Sequence, residues 1–70
     1  MVEKTIDLTG TSAIGIEDAV SLAIKRATIT VKNIRQAKLI EAVALVESDS
    51  VIRWRVRVEV TFTVQDQLHE

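Results

Sequence analysis

Val51-Ile52-Arg53-Trp54-Arg55-Val56-Arg57-Val58-Glu59-Val60-Thr61-Phe62-Thr63-Val64 is the stretch that decides the fold. Ile52, Trp54, Val56, Val58, Val60, Phe62 and Val64 occupy its even positions; Arg53, Arg55, Arg57, Glu59, Thr61 and Thr63 occupy the odd ones. Successive strand residues point to opposite faces. The unbroken period of two therefore predicts one long strand, apolar on one side and charged on the other.

Just before it, Ser48-Asp49-Ser50 supplies turn residues. Residues 34–47 form a second strand candidate. Its even face holds Ile34, Gln36, Lys38, Ile40, Ala42, Ala44 and Val46, and its odd face holds Arg35, Ala37, Leu39, Glu41, Val43 and Leu45. The two strands read as a hairpin. Pairing Glu47 with Val51 sets Glu41 opposite Arg57 and Leu39 opposite Glu59.

Over residues 16–31 the period changes. Ile16, Val20, Ala23, Ile24, Ala27 and Val31 recur at spacings of three and four, the stripe of an amphipathic helix. Gly15 is a tolerable N-cap, and Glu17 and Asp18 favour the positive end of the helix dipole. The β-branched run Thr28-Ile29-Thr30-Val31 weakens the last turn, so the helix is expected to end near Val31 to Asn33. Residues 2–9 alternate, with Val2, Lys4, Ile6 and Leu8 against Glu3, Thr5, Asp7 and Thr9, and predict a first strand. Thr9-Gly10-Thr11-Ser12 then reads as breaker and turn. The expectation is one domain over 1–70, with a core over about 2–64 and a polar tail at 65–70. Its class is α+β: a βαββ order in which a three-stranded antiparallel sheet lies around one helix.

A chain of 70 residues buries only roughly 60% of its unfolded surface on folding and generally needs a staple. It has no cysteine, and its one histidine is His69, so a disulfide, a thiolate zinc site and a histidine metal cluster within one chain are excluded. Oligomerisation is the staple that remains. Apolar Ala37, Leu39, Val43 and Leu45 on the far side of the sheet point the same way. No apolar run approaches the roughly 20 residues that span a bilayer. Glu3, Lys4 and Asp7 do not suit a secretory leader, so a cytoplasmic location is expected.

The net charge of −1 argues against a broad nucleic-acid footprint. Arg53, Arg55 and Arg57 still form a basic stripe suited to a phosphate, a flavin phosphate or an RNA backbone. Cross-strand and inter-subunit pairing with Glu41, Glu47 and Glu59 is the favoured reading, because the proposed register puts acids opposite. No exposed aromatic platform accompanies the arginines, which weakens RNA binding further. Trp54 shares the face of Val56 and Val58 and is assigned to core or interface packing rather than ligand stacking. Gly10-Thr11-Ser12 precedes a helix as phosphate loops do, but lacks a nucleotide-binding spacing, and an ordinary turn is favoured. Glu3, Asp7, Glu17, Asp18, Glu41, Glu47 and Asp49 are the acids open to a calcium ion. Calcium takes six or more oxygens and there is no EF-hand pattern, so such a site would be built between subunits or from backbone oxygens. No nucleophile, base and acid combine into a catalytic set, and no enzyme activity is expected.

Leu8-Thr9-Gly10-Thr11-Ser12, the helix with Ala23-Ile24 and Arg26-Ala27, Thr30-Val31-Lys32-Asn33, and the closing alternation Val56, Val58, Val60, Phe62 together resemble the dodecins. The resemblance runs from about Lys4 to Val64. It implies a βαββ chain assembling as a hollow homododecamer built from trimers. It also implies storage or sequestration of riboflavin, FMN or FAD, stacked in pairs between tryptophans at two-fold interfaces. One branch of the family is described as calcium-binding. The stacking tryptophan would stand three residues after Asn33, where this chain has Gln36, and the flavin-contacting glutamine of the last strand falls on Arg55. Arg35, Gln36, Lys38, Arg55 and Arg57 are the ligand-binding candidates that follow. An amide cannot replace an indole face, whereas a guanidinium stacks on flat rings and pairs with phosphate. Two readings follow: a flavin-binding dodecin, or a shell of the same architecture that has lost the flavin and serves another ligand, calcium or a scaffold role.

Overall fold

A computed structural model of the chain describes residues 2–64, and the expected tail at 65–70 lies outside them. Strand β1 covers Val2–Ser12, helix α1 Ile16–Ala27, β2 Ile34–Glu47 and β3 Ser50–Val64. Both pairings are antiparallel, and the sheet order is β1-β3-β2. The most regularly alternating segment of the sequence is thus the central strand. Its Val56, Val58 and Val60 are completely buried beneath α1. Ile6, Leu8, Ile16, Val20, Ile34 and Ala37 pack around them.

The helix meets the sheet through small side chains. Ala19, Ala23 and Ala27 are its buried residues, one turn apart on one stripe. The apolar period identified Ala23 and Ala27 but passed over Ala19, the most deeply buried of the three. This close approach explains Gly10. Rather than breaking the strand, Gly10 is buried in β1 opposite Val56. A Cβ there would collide with the Ala19 carbonyl oxygen and meet the Ala23 methyl at 3.0 Å. The glycine is needed for space, since its φ is not positive.

The expected turn at residues 9–12 is therefore corrected: β1 continues to Ser12, which pairs with Trp54. Buried Ser12 links strand to helix. Its hydroxyl donates to Asp18 Oδ2 at 2.6 Å and accepts from the Ile14 amide at 2.9 Å, with the Gly15 amide at 3.4 Å. Gly15 is the N-cap, as expected, but has no side chain to offer, and Ser12 satisfies free amides at this end instead. Ser12→Ala is expected to cost about 1–2 kcal/mol, the usual worth of a cap. Thermal melts at one fixed protein concentration measure it; an unchanged midpoint would show that water replaces the hydroxyl at no cost.

The helix ends at Ala27, four residues before Val31. Thr28 turns its hydroxyl back onto the Lys25 carbonyl at 2.7 Å, and the Val31 amide closes onto the Ala27 carbonyl at 2.8 Å. The β-branched run ends the helix instead of merely loosening it. Asn33, with φ 62°, then redirects the chain into β2.

Ser48 and Asp49, with φ of 50° and 64°, form a two-residue hairpin turn closed by Glu47 opposite Ser50, not Val51. Glu41 does stand opposite Arg57. An irregularity between Leu39 and Glu41 moves the rest: Leu39 faces Val58, and Lys38 faces Glu59. Paired residues share a face, so Ala37 and Leu39 join the helix side, opposite Val60 and Val58. Of the apolar residues expected on the far side, Val43 and Leu45 remain there.

The radius of gyration is 14.9 Å, against about 11 Å for a compact chain of this length. The long axis measures 59 Å. Pairing with β1 stops at Trp54, so the hairpin beyond it is a two-stranded arm. A helix the length of α1 spans only about 18 Å and cannot cover it.

Candidate functional site

The odd side chains of β3 organise the face turned away from α1. Thr61 stands between Thr5 and Gln36, Glu59 between Asp7 and Lys38, and Arg57 between Thr9 and Glu41. Arg55 stands between Thr11 and Val43, and Arg53 opposite Leu45. Successive rows are about 6.6 Å apart. Thr5 and Thr61 share a hydroxyl contact of 3.2 Å.

Acids gather in the rows toward Glu59 and bases in those toward Arg53. Where the two regions meet, Arg57 Nη1 lies 3.6 Å from Asp7 Oδ2 and its Nη2 lies 3.7 Å from Glu41 Oε1. All three side chains are well exposed, so these pairs contribute only up to about 1 kcal/mol each. Asp7 and Glu59 face each other directly, a like-charge pair relieved by the neighbouring Lys38 and Arg57.

Gln36, Lys38, Arg55 and Arg57 thus share the far face, and Arg35 occupies the irregularity between Ile34 and Gln36, exposed. One chain does not gather them. Gln36 lies three rows from Arg55, about 20 Å along the sheet, so Arg35, Gln36 and Arg55 form no common pocket within a protomer. Within one chain, the expected cross-strand neutralisation of the arginine stripe is met at Arg57 alone among the described residues. Glu41 serves Arg57, but Glu59 faces Lys38 and Asp7, and Glu47 faces Ser50. Asp7, the second partner of Arg57, was not foreseen, because pairing of β1 with β3 cannot be read from the hairpin alone.

Both aromatics lie on the helix side. Trp54 is half-buried between Ser12 and Ala44, beside Ile16, Glu17 and Ser21 at the start of α1; Phe62 lies between Lys4 and Ile34. Trp54 thus shares the face of Val56 and Val58, as expected, but lies outside the cluster packed around them. The segment Gly10-Thr11-Ser12 offers no phosphate cradle: Gly10 lies under the helix and the Ser12 hydroxyl is engaged. Among the described residues no three acids come together as a metal cluster. No helix among them is long and apolar enough to cross a membrane.

Comparison with known proteins places this geometry. A family model described as Dodecin matches residues 2–65. The chain is 39% identical over 64 residues to the calcium dodecin of Mycobacterium tuberculosis, across 91% of this chain and 90% of that protein. The crystal structure of that calcium dodecin, a calcium-chelating antigen with a novel calcium-binding site, covers all of both chains at 36% identity with a TM-score of 0.80. The tt0972 protein of Thermus thermophilus aligns with a TM-score of 0.89 at 29% identity, over 94% of this chain and 97% of that one.

Proposed function

The chain belongs to the dodecin family of homo-oligomeric, non-enzymatic small-molecule-binding proteins, and from that premise we propose that it is a dodecin-type shell whose ligand is not a stacked flavin but a divalent cation of the calcium class. The observation that carries the first half is the position of the aromatics. Gln36 occupies the place of the stacking tryptophan, and Trp54 and Phe62 are both turned to the helix side of the sheet. No indole is presented on the face that carries Gln36, so the residues do not fit an aromatic flavin sandwich.

The cation is supported by the likeness to a calcium-named relative and by the acidic half of the far face, where Asp7 and Glu59 stand opposite each other. A single chain brings no three acids together among its described residues. Oxygens from a neighbouring subunit, from the backbone or from water would complete the six or more ligands. Closed symmetry among identical chains supplies such repeated contacts, and the homododecamer built from trimers is the assembly this reading uses.

Two titrations on the intact assembly test the proposal. After dialysis against EDTA, calcium is expected to give a binding isotherm and to raise the melting temperature, as any ligand specific for the folded state does. Riboflavin and FMN fluorescence is expected to remain unquenched at tens of micromolar protein. Quenching would restore the flavin reading; absence of both calcium heat and thermal shift would reject the cation.

A further inference from the structure

Of the three arginines on β3, only Arg57 has a carboxylate within salt-bridge reach among the described residues. Arg55 has Thr11 on one side and Val43 on the other, and Arg53 has Leu45 opposite it. Both are exposed. The two guanidinium groups rise from one face about 6.6 Å apart. The side chains are long enough to converge on two adjoining anionic groups. Thr11, an exposed residue, stands in line with Arg55.

We infer that Arg53 and Arg55, with Thr11 beside them, form a binding site for a ligand carrying two linked phosphates, a pyrophosphate group. Each guanidinium presents parallel N–H donors that match two oxygens of one phosphate, and a neighbouring guanidinium matches the next. Arg57 does not take part, because Asp7 and Glu41 already occupy it. Val43 and Leu45 form an apolar border along β2, which suits the organic portion of a phosphorylated metabolite better than a polymer backbone. With no aromatic platform on this face, single-stranded nucleic acid lacks the stacking it uses. The site is independent of the cation proposed above, which uses the opposite, acidic end of the face.

Isothermal titration of the assembled protein at low salt, with EDTA present throughout, tests this without a calcium bridge. Inorganic pyrophosphate is expected to bind, and orthophosphate about tenfold more weakly or less. Arg55→Gln is expected to reduce pyrophosphate affinity by about ten- to a hundredfold, the range for losing charged hydrogen bonds. Arg55→Lys keeps the charge but loses the fork, and falls between. Lys25→Gln, on the helix, removes the same charge elsewhere and is expected to leave affinity unchanged. Three results would overturn the site: no pyrophosphate heat with the wild type, equal weakening by Lys25→Gln, or binding of single-stranded RNA alone. If Arg55→Gln dissociates the assembly while the wild type binds no pyrophosphate, the arginines pair with acids of another subunit and the proposal fails.

Discussion

Gly10→Val is expected to prevent folding. The residue lies in β1 where α1 comes closest, and its missing side chain is the space that the Ala19 carbonyl and Ala23 methyl occupy. Backbone cannot swing aside as a flexible side chain can, so the helix must lift from the sheet. Lifting it exposes Val56, Val58 and Val60, which have no other cover on that side. One added methyl in a close-packed core costs about 1–3 kcal/mol, and Gly10→Ala sets this lower bound. In a domain this small, each kcal/mol lowers the melting temperature by about 4–8 °C. Valine adds two more carbons at the same point. Circular dichroism and sedimentation of both variants measure the effect, and a Gly10→Val protein melting within a few degrees of the wild type would refute the close-approach argument.

The second large effect is expected at a place where the isolated chain has almost nothing to lose. Val46, Val51 and Ile52 are 61%, 49% and 40% exposed on the arm beyond Trp54. A two-stranded hairpin is marginal in water by itself, and an apolar one without cover needs a partner surface. Ile52→Asp is expected to convert the oligomer into smaller species and to lower its melting temperature. Closed symmetry repeats the buried carboxylate in every copy of the interface, at several kcal/mol each. Sedimentation velocity reads the change directly. An unchanged sedimentation coefficient would mean that the arm stands free in the assembly.

The strands and helix were legible because β3 alternates without a fault and α1 carries an amphipathic stripe. What escaped was everything set by the third dimension. Thr9 to Ser12 look like a turn, but strand pairing with β3 overrides the poor strand preference of glycine, and the space beneath the helix makes glycine necessary. Leu39 and Lys38 exchange faces because of a single irregularity in β2, which leaves no mark in the alternation. Of the ligand candidates, Gln36, Lys38, Arg55 and Arg57 do share a face, yet they are strung along it rather than gathered. Of the acids expected beside the arginine stripe, Glu41 does meet Arg57, whereas Glu59 lies on the arginines' own strand and Glu47 closes the turn opposite Ser50, so neither stands across from an arginine within the chain.

The sheet order also dictates when the fold becomes possible during synthesis. β1 pairs only with β3, Ser12 with Trp54 and Val2 with Val64, so the first strand made must wait for the last. Until then α1 has no valine surface to lie on, and a helix this short is marginal without one. Only β2 and β3, joined by their two-residue turn, can close locally, and hairpins form within about 1–10 μs. Until β3 has been made, the leading strand and the helix therefore stay open. The hairpin must come first, and the helix and leading strand then fold back onto it.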